Sequence, residues 1–467
     1  MNKAARASLL LLCVPISSAQ LAAQPGPGVP PQHVKAPAAA TIDKAQMAER
    51  VRGEFLHAWN SYKQYAWGHD ELRPLSKTPR DWHPPGTLLM TPVDSLDALI
   101  LLGFKDEADQ TREYIVAHLM FDQDISVKNF EITIRLLGGL LSSYQLTGDQ
   151  RLLALAEDLG NRLLPAFNSR TGMPYVYVNL KTGAVREPVS NPAEIGTLLI
   201  EFGTLSKLTG KPIYFEKAKR ALTELYNRRS AIGLVGSGIN VETGEWTNPT
   251  SHISGLIDSY YEYLLKCWVL FGDKDCQRMW KQSIASLNKY VADKSASGLW
   301  YGRVDMNTGK RTATRFGALD AFFPGVLALS GDMDRARRLQ ESALAMWQVA
   351  GIEPEALDYS TMKIINPAYP LRPEIIESAY YLYQRTRDPR YLAMGRTFFE
   401  SLVKHCRAEA GYASLRNVET KEKADRMESF FLTETLKYLY LLFAPPETID
   451  LKKNVFNTEA HPIRKTW

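Results

Sequence analysis

The stretch FEITIRLLGGLLSSYQLTGDQRLLALAEDLGNRLL (130–164) reads as two helices back to back. Apolar residues recur at helical spacing on either side of one short turn, and Gly148 in that turn can adopt the left-handed backbone that ends a helix. The unit repeats along the chain. LTGD (Gly148), LTGK (Gly210), LFGD (Gly272) and LSGD (Gly331) lie 62, 62 and 59 residues apart, and RTRDPR around Arg387 continues the series. A period of about 60 residues built from helical hairpins is the mark of a repeat architecture. A second series runs out of phase with the first: KTG (Gly183), ETG (Gly244) and NTG (Gly309), each flanked by alternating β-branched or aromatic and polar residues. These predict small β-hairpins on the long connections.

Acids keep the same register. Glu131, Glu194, Asp258, Asp320, Glu374 and Glu434 each begin a helix after a long connection, 54 to 64 residues apart. Acids favour helix N-termini in any protein, because they offset the macrodipole. Capping alone does not require one acid per repeat at one offset. If the helices close into a ring, these carboxylates converge at one mouth, where a polyhydroxylated ligand and a hard cation could both be held by oxygen. With Asp94 in TPVDSLDALILLG (91–103) as a further helix start, about seven hairpins can be drawn, and an all-α (α/α)7 barrel is expected.

The 467 residues are ample for a large core, and 45% hydrophobic with 23% charged residues excludes collagen-like, disordered and multi-span membrane classes. The 9 Trp, 22 Tyr and 17 Phe suit sugar stacking and a large core equally. MNKAARASLLLLCVPISSAQ (1–20) has a basic start, an apolar run from Leu9 to Ile16, and small residues Ser17 and Ala19. It reads as a signal peptide over residues 1–19, so a secreted or periplasmic protein with no membrane attachment after cleavage is expected. Its loss removes Lys3 and Arg6 and lowers the net charge from +5 to +3, so no nucleic-acid partner is expected. Residues 20–41, rich in Pro, Gly and Ala, read as a linker, and 42–467 as one catalytic domain. Once Cys13 is cleaved off, Cys267, Cys276 and Cys406 permit at most one bridge. The eight histidines show no paired metal spacing, which argues against a zinc site, and His69 reads as structural.

The ordered motifs YKQYAWGHDELRPLS (62–76), TPVDSLDALILLG (91–103), FEITIRLLGGLLSSYQLTGD (130–149), AEIGTLLIEF (193–202), DSYYEYLLK (258–266), LRPEIIES (371–378), MESFFLTETLKYLYLLF (427–443) and NTEAHPI (457–463) together resemble glycoside hydrolase family 47, the class I α-1,2-mannosidases. The resemblance spans nearly all of residues 45–463, and an exported member of bacterial type is expected. It implies an (α/α)7 barrel, one bound Ca²⁺, and inverting removal of terminal α-1,2-linked mannose from oligomannose glycans or N-glycans by an expected monomer.

Inversion needs one carboxylic acid to protonate the leaving oxygen and one carboxylate to activate water. By motif, Glu131 resembles the general acid, Glu374 the general base and Asp258 a third essential carboxylate, with the acid role open between Glu131 and Asp258. Arg135 lies one turn beyond Glu131, and a nearby cation works against a retained proton, a tension that a relay through water would ease. Thr458 resembles the family's calcium-ligating threonine. Glu194, Glu355, Glu377, Glu434 and Glu459 would hold waters around the ion and contact the sugar. Phe430 resembles an apolar floor under the sugar, although a plain core role also fits it, and Arg372 would bond hydroxyls or orient Glu374. The sequence departs from many relatives at Ala321 in LDAFFPG (319–325), where they carry a cysteine, so their disulfide should be missing. Leu256, two residues before Asp258, stands where endoplasmic-reticulum-type members of the family carry Arg and Golgi-type members carry Leu, so the resemblance implies broader trimming of branches. Two rival readings remain: a mannose-binding module that kept the barrel without turnover, and an α/α-barrel glycosidase of another linkage.

Overall fold

In the computed structural model, which describes residues 42–467, Gly148, Gly210, Gly272 and Gly331 all take left-handed backbone, with φ of 76°, 72°, 69° and 95°. Arg387 continues the series at φ 57°. Each ends one helix and is followed at once by the next: α5 (Gly138–Thr147) by α6 (Gln150–Leu163), α8 (Leu199–Thr209) by α9 (Ile213–Asn227), and α10 (Asp258–Phe271) by α11 (Lys274–Ser286). The series goes on with α12 (Phe323–Ser330) and α13 (Met333–Ala350), then α14 (Glu374–Thr386) and α15 (Arg390–His405). Earlier in the chain lie α1 (Lys44–Ala66), α2 (Met90–Leu101), α3 (Lys105–His118), the short α4 (Asn129–Ile132) leading into α5, and α7 (Pro192–Gly196) leading into α8; α16 (Lys437–Phe443) comes last. The signal peptide and linker expected over 1–19 and 20–41 lie outside the described residues.

Burial sorts these helices into two layers. In α10 every residue from Ser259 to Cys267 is buried, whereas α11 buries only Cys276, Met279, Trp280 and Ser283 along one stripe. The first pattern belongs to a helix packed on all sides, the second to one with a wet face. Inner helices follow one another in contact, from α2 to α5, α8, α10, α12, α14 and α16. The ring closes where α2 meets the turn just before α16, and α1 packs on the outside of α16. Among the described residues this is the expected (α/α)7 barrel. The seventh pair joins the first helix to the last.

At one end, antiparallel strands stitch each connection to its neighbour. Ser126–Lys128 pairs with Tyr177–Asn179, and Val189–Ser190 with Gly238–Asn240. Thr250–Ser251 pairs with Arg303–Asp305, and Arg315–Gly317 with Ala356–Asp358. The expected hairpins at Gly183, Gly244 and Gly309 are present, and two more turn at Met362 and Lys421, with φ of 56° and 63°. The final hairpin, Asn454–Phe456 with Pro462–Arg464, sends its tip into the ring. Among the described residues one disulfide, Cys267–Cys276, ties α10 to α11; Cys406 is buried and free, and Ala321 is buried with no bridge beside it. No described helix is long and apolar enough to cross a membrane.

Candidate active site

The hairpin tip is held by buried polar groups from five inner segments. Asn457 donates to Ile134 O at 2.9 Å and to Glu201 Oε1 at 2.8 Å, while its Oδ1 accepts from the amides of Glu459 and His461. Tyr263 OH donates to Glu201 at 2.6 Å and accepts from the Thr458 amide at 3.3 Å. His461 lies 2.7 Å from Asp97 and 3.1 Å from Asp94, and Lys437 Nζ donates to Asp97 at 2.6 Å and to Ala460 O at 2.7 Å. Burial opposes the charge on His461, but the two aspartates outweigh it and lift the imidazole to about 9. These contacts fix Thr458 at the centre of the barrel.

Around Thr458 opens a cavity of about 480 Å³. Glu131, Asp258 and Glu374 line it together with Thr458, from three different inner helices. Arg135, Glu194, Leu256, Glu355, Arg372, Glu377, Phe430, Glu434 and Glu459 line it too, so every residue expected at the site is brought there. Asp320 is the exception in the register of acids. It is buried beside the lining, where its Oδ2 accepts the Gly317 amide at 2.8 Å, so capping claims it and five of the six acids reach the mouth.

Several of these groups are paired before any ligand arrives. Arg135 bonds Glu131 at 3.0 Å and also Glu459; Arg372 grips Glu355 with two nitrogens, at 3.1 and 2.7 Å, and lies 4.0 Å from Glu374; Lys128 pairs with Glu194 at 2.7 Å. Both guanidinium groups lie near the Phe430 ring, 5.6 Å from its centroid for Arg135 and 5.9 Å for Arg372, so cations as well as packing hold it. Burial lifts Asp258 to about 7, with Glu262 and Asp320 adding to it. Burial also lifts Glu374 to about 7 against the pull of Arg372, and one of its oxygens, Oε2, is buried without a hydrogen-bond partner. Burial and the charges of Glu459, Glu374 and Glu377 push Glu434 well up.

The donor set at the centre is oxygen throughout: a threonine and crowded carboxylates, Glu377, Glu434 and Glu459 among them. That chemistry fits a hard divalent cation and excludes a thiolate or imidazole site among these residues.

Three features were missed in the sequence. Two π-helical turns, Thr133–Leu137 and Phe431–Leu436, carry Arg135 and Glu434. Such turns interrupt the regular rotation of a helix and collect at functional sites, and nothing in their composition announces them. Leu256 and Leu371 adopt left-handed backbone, φ 81° and 63°, just ahead of Asp258 and Glu374, which is unusual for leucine and marks a constrained approach to each helix. Glu353 is fully buried with no hydrogen bond to either carboxylate oxygen, and burial together with Glu374 and Glu355 pushes it far up. The Glu-Pro-Glu run at 353–355 was its only signal.

A family model described as "Glycosyl hydrolase family 47" matches residues 54–465. "Alpha-mannosidase I MNS5" of Arabidopsis thaliana is 38% identical over 487 residues, covering 97% of this chain and 82% of the relative. "ER degradation-enhancing alpha-mannosidase-like protein 2" of Homo sapiens is 39% identical over 473 residues, covering 93% and 80%. Among solved structures, "alpha-1,2-mannosidase from Trichoderma reesei" superposes with a TM-score of 0.83 at 29% identity, over 90% of this chain and 99% of that one. These three relatives are eukaryotic and lend no support to the expectation of a bacterial type.

Proposed function

The chain belongs to glycosyl hydrolase family 47 and is a glycoside hydrolase, and from that premise we propose that it is a calcium-dependent, inverting exo-α-1,2-mannosidase acting on oligomannose glycans. The observation that carries this reading is the convergence of Glu131, Asp258, Glu374 and Thr458 on one cavity from segments more than 300 residues apart. A merely mannose-binding barrel has no need of three carboxylates together with a threonine at its centre.

Glu374 is the general base. Its unpartnered Oε2 is free to take a proton from water, and a value near 7 balances availability of the carboxylate against strength as a base. Arg372, fixed by its double bond to Glu355, keeps positive charge 4.0 Å from Glu374 and steadies its orientation. The proton for the leaving oxygen comes from the Glu131–Asp258 pair of candidates. Asp258, lifted to about 7, keeps its proton in part of the molecules at neutral pH, whereas Glu131 is clamped by Arg135 and would transfer through a water. Phe430 offers the apolar face of a sugar a flat partner.

Thr458 would hold the calcium ion, with Glu377, Glu434 and Glu459 around it to orient its waters. When bound, calcium supplies charge that gathers neighbouring sugar hydroxyls and offsets the cost of distorting the ring. Export on residues 1–19 and a monomeric mature enzyme complete the reading. A proton NMR time course on α-1,2-mannobiose, with and without a chelator, tests it. Release of β-mannose that stops on chelation and returns with calcium is expected. No release under either condition overturns the enzyme reading, and release indifferent to the chelator overturns the metal role.

A further inference from the structure

Five cationic side chains line the cavity, and their partners divide them. Lys128, Arg135 and Arg372 are each committed to a carboxylate of the same cavity. Arg303 and Arg315 also line it, yet among the described residues neither guanidinium has an ion pair or a hydrogen bond. They stand on adjacent hairpins, at the first positions of the strands Arg303–Asp305 and Arg315–Gly317, and both are only part-exposed. Burial and the charge of Arg315 lower the pKa of Arg303, while Asp320 works in the opposite sense.

Among the described residues the anion that acts on this pair is Asp320, and one of its oxygens is spent on the Gly317 amide. His252, also near both guanidiniums, is kept neutral by burial and by them, and adds no charge. Two partly dehydrated guanidinium groups thus face one carboxylate, in a cavity whose other cations are all neutralised. An arrangement of this kind is costly unless a ligand relieves it. Neutral sugar hydroxyls would fill the hydrogen bonds but leave the like charges opposed. An oxyanion does both, since each guanidinium presents a planar fork that matches a phosphoryl or carboxylate group.

We infer that Arg303 and Arg315 form a subsite for an oxyanion substituent, phosphoryl or uronate, on the part of the glycan that stays behind when the terminal mannose leaves. The inference rests on the mannosidase reading above and adds a substrate class to it. The Thr458 end of the cavity takes the terminal sugar, so the substituent belongs to the next residue of the chain. Its partners must be these arginines, since the other walls carry carboxylates that repel it.

The test compares three substrates on the full-length protein with calcium: α-1,2-mannobiose, the same disaccharide with a 6-phosphate on its reducing sugar, and the form with a 6-carboxylate there. Wild type is expected to favour the phosphorylated disaccharide over the neutral one by about tenfold or more in kcat/KM at low salt, the preference shrinking as salt rises. The carboxylate arm reads whether one negative charge suffices or a dianion is needed. In R303Q/R315Q the ratio of the two kcat/KM values should fall to about one, and R303K/R315K should keep part of it. A wild-type ratio at or below one for both anionic substrates overturns the inference, whether or not the variants fold. Calorimetric titration of the three disaccharides into wild type gives the same comparison without turnover. If none of the three is hydrolysed, the mannosidase reading fails, while tighter binding of an anionic disaccharide still upholds the arginine subsite and equal binding removes it.

Discussion

Glu374 could be picked out from the sequence because LRPE is a local signal, but its working state could not. That state comes from Arg372, whose position depends on Glu355, and from burial by helices that lie far away in the chain. Glu374→Gln keeps the shape and removes the proposed base. Turnover of α-1,2-mannobiose is expected to fall by about a hundredfold or more, with affinity measured by calorimetry nearly unchanged. Full activity in this variant would end its assignment as the base. The same limit on legibility holds for His461, which sits in a visible motif beside aspartates 364 and 367 positions away. Its imidazole is lifted from 6.5 to about 9. A group with a raised folded-state pKa adds stability that is complete below its unfolded value and is lost as pH rises through the folded one, here between 6.5 and about 9. His461→Ala should therefore cost about 3–5 kcal/mol at pH 6, the usual scale for breaking a buried ion pair. The loss measured by urea unfolding should be clearly smaller at pH 9.5, and an equal loss at both would show the imidazole is not charged in the native state.

Elements were legible where glycine marked them. The hairpin tips at Gly183, Gly244 and Gly309 carry that residue in left-handed backbone; at Met362 and Lys421 the backbone is the same and the marker is absent. What all five share is an Asx residue whose side chain accepts amides two or three positions on, at Asn179, Asn240, Asp305, Asp358 and Asn417. Reading Asn or Asp as the start of the turn finds all five; reading glycine alone finds three. Gly309 has a second constraint, because a Cβ there would lie 2.6 Å from Cδ1 of Tyr290. Gly309→Ala is expected to cost about 1–2 kcal/mol from backbone strain, plus displacement of that ring. Thermal unfolding checks it, and a cost near zero would mean the hairpin relaxes freely. The Cys267–Cys276 bridge spans the Gly272 turn at a sequence separation of only nine. A loop that short constrains the unfolded chain modestly, so Cys267→Ala with Cys276→Ala should lower stability by no more than about 3 kcal/mol and leave activity intact. Loss of folding in the double variant would show that the bridge holds α10 in place, a task we assign to packing.

At the scale of the whole molecule, the 60-residue period made the ring legible but not its closure. Neither α1 nor α16 carries the Gly-turn signature that pairs the other helices, so their union across almost the full length of the chain has no local trace. Closure is what concentrates acids: Asp258 and Glu374 are lifted to about 7 because the ring removes water from around them, and Glu201 beneath the hairpin tip is lifted to about 7 for the same reason. Their values in the unfolded chain are near 4, so the folded protein holds more protons than the unfolded one between about pH 4 and 7. Stability must then fall as pH rises through that interval, and His461 extends the decline toward 9. Acids whose values are lowered, such as Asp149 and Asp273, lose their contribution only below pH 4 and do not offset the decline. In a chelator, the urea midpoint should accordingly be lower at pH 8 than at pH 5.5. On the calcium reading proposed above the ion would bind the deprotonated acids and relieve the same crowding, so added calcium should raise the midpoint more at pH 8 than at pH 5.5. A midpoint that climbs with pH in the chelator would mean those carboxylates are hydrated and the ring is open. A calcium effect independent of pH would place the ion away from them.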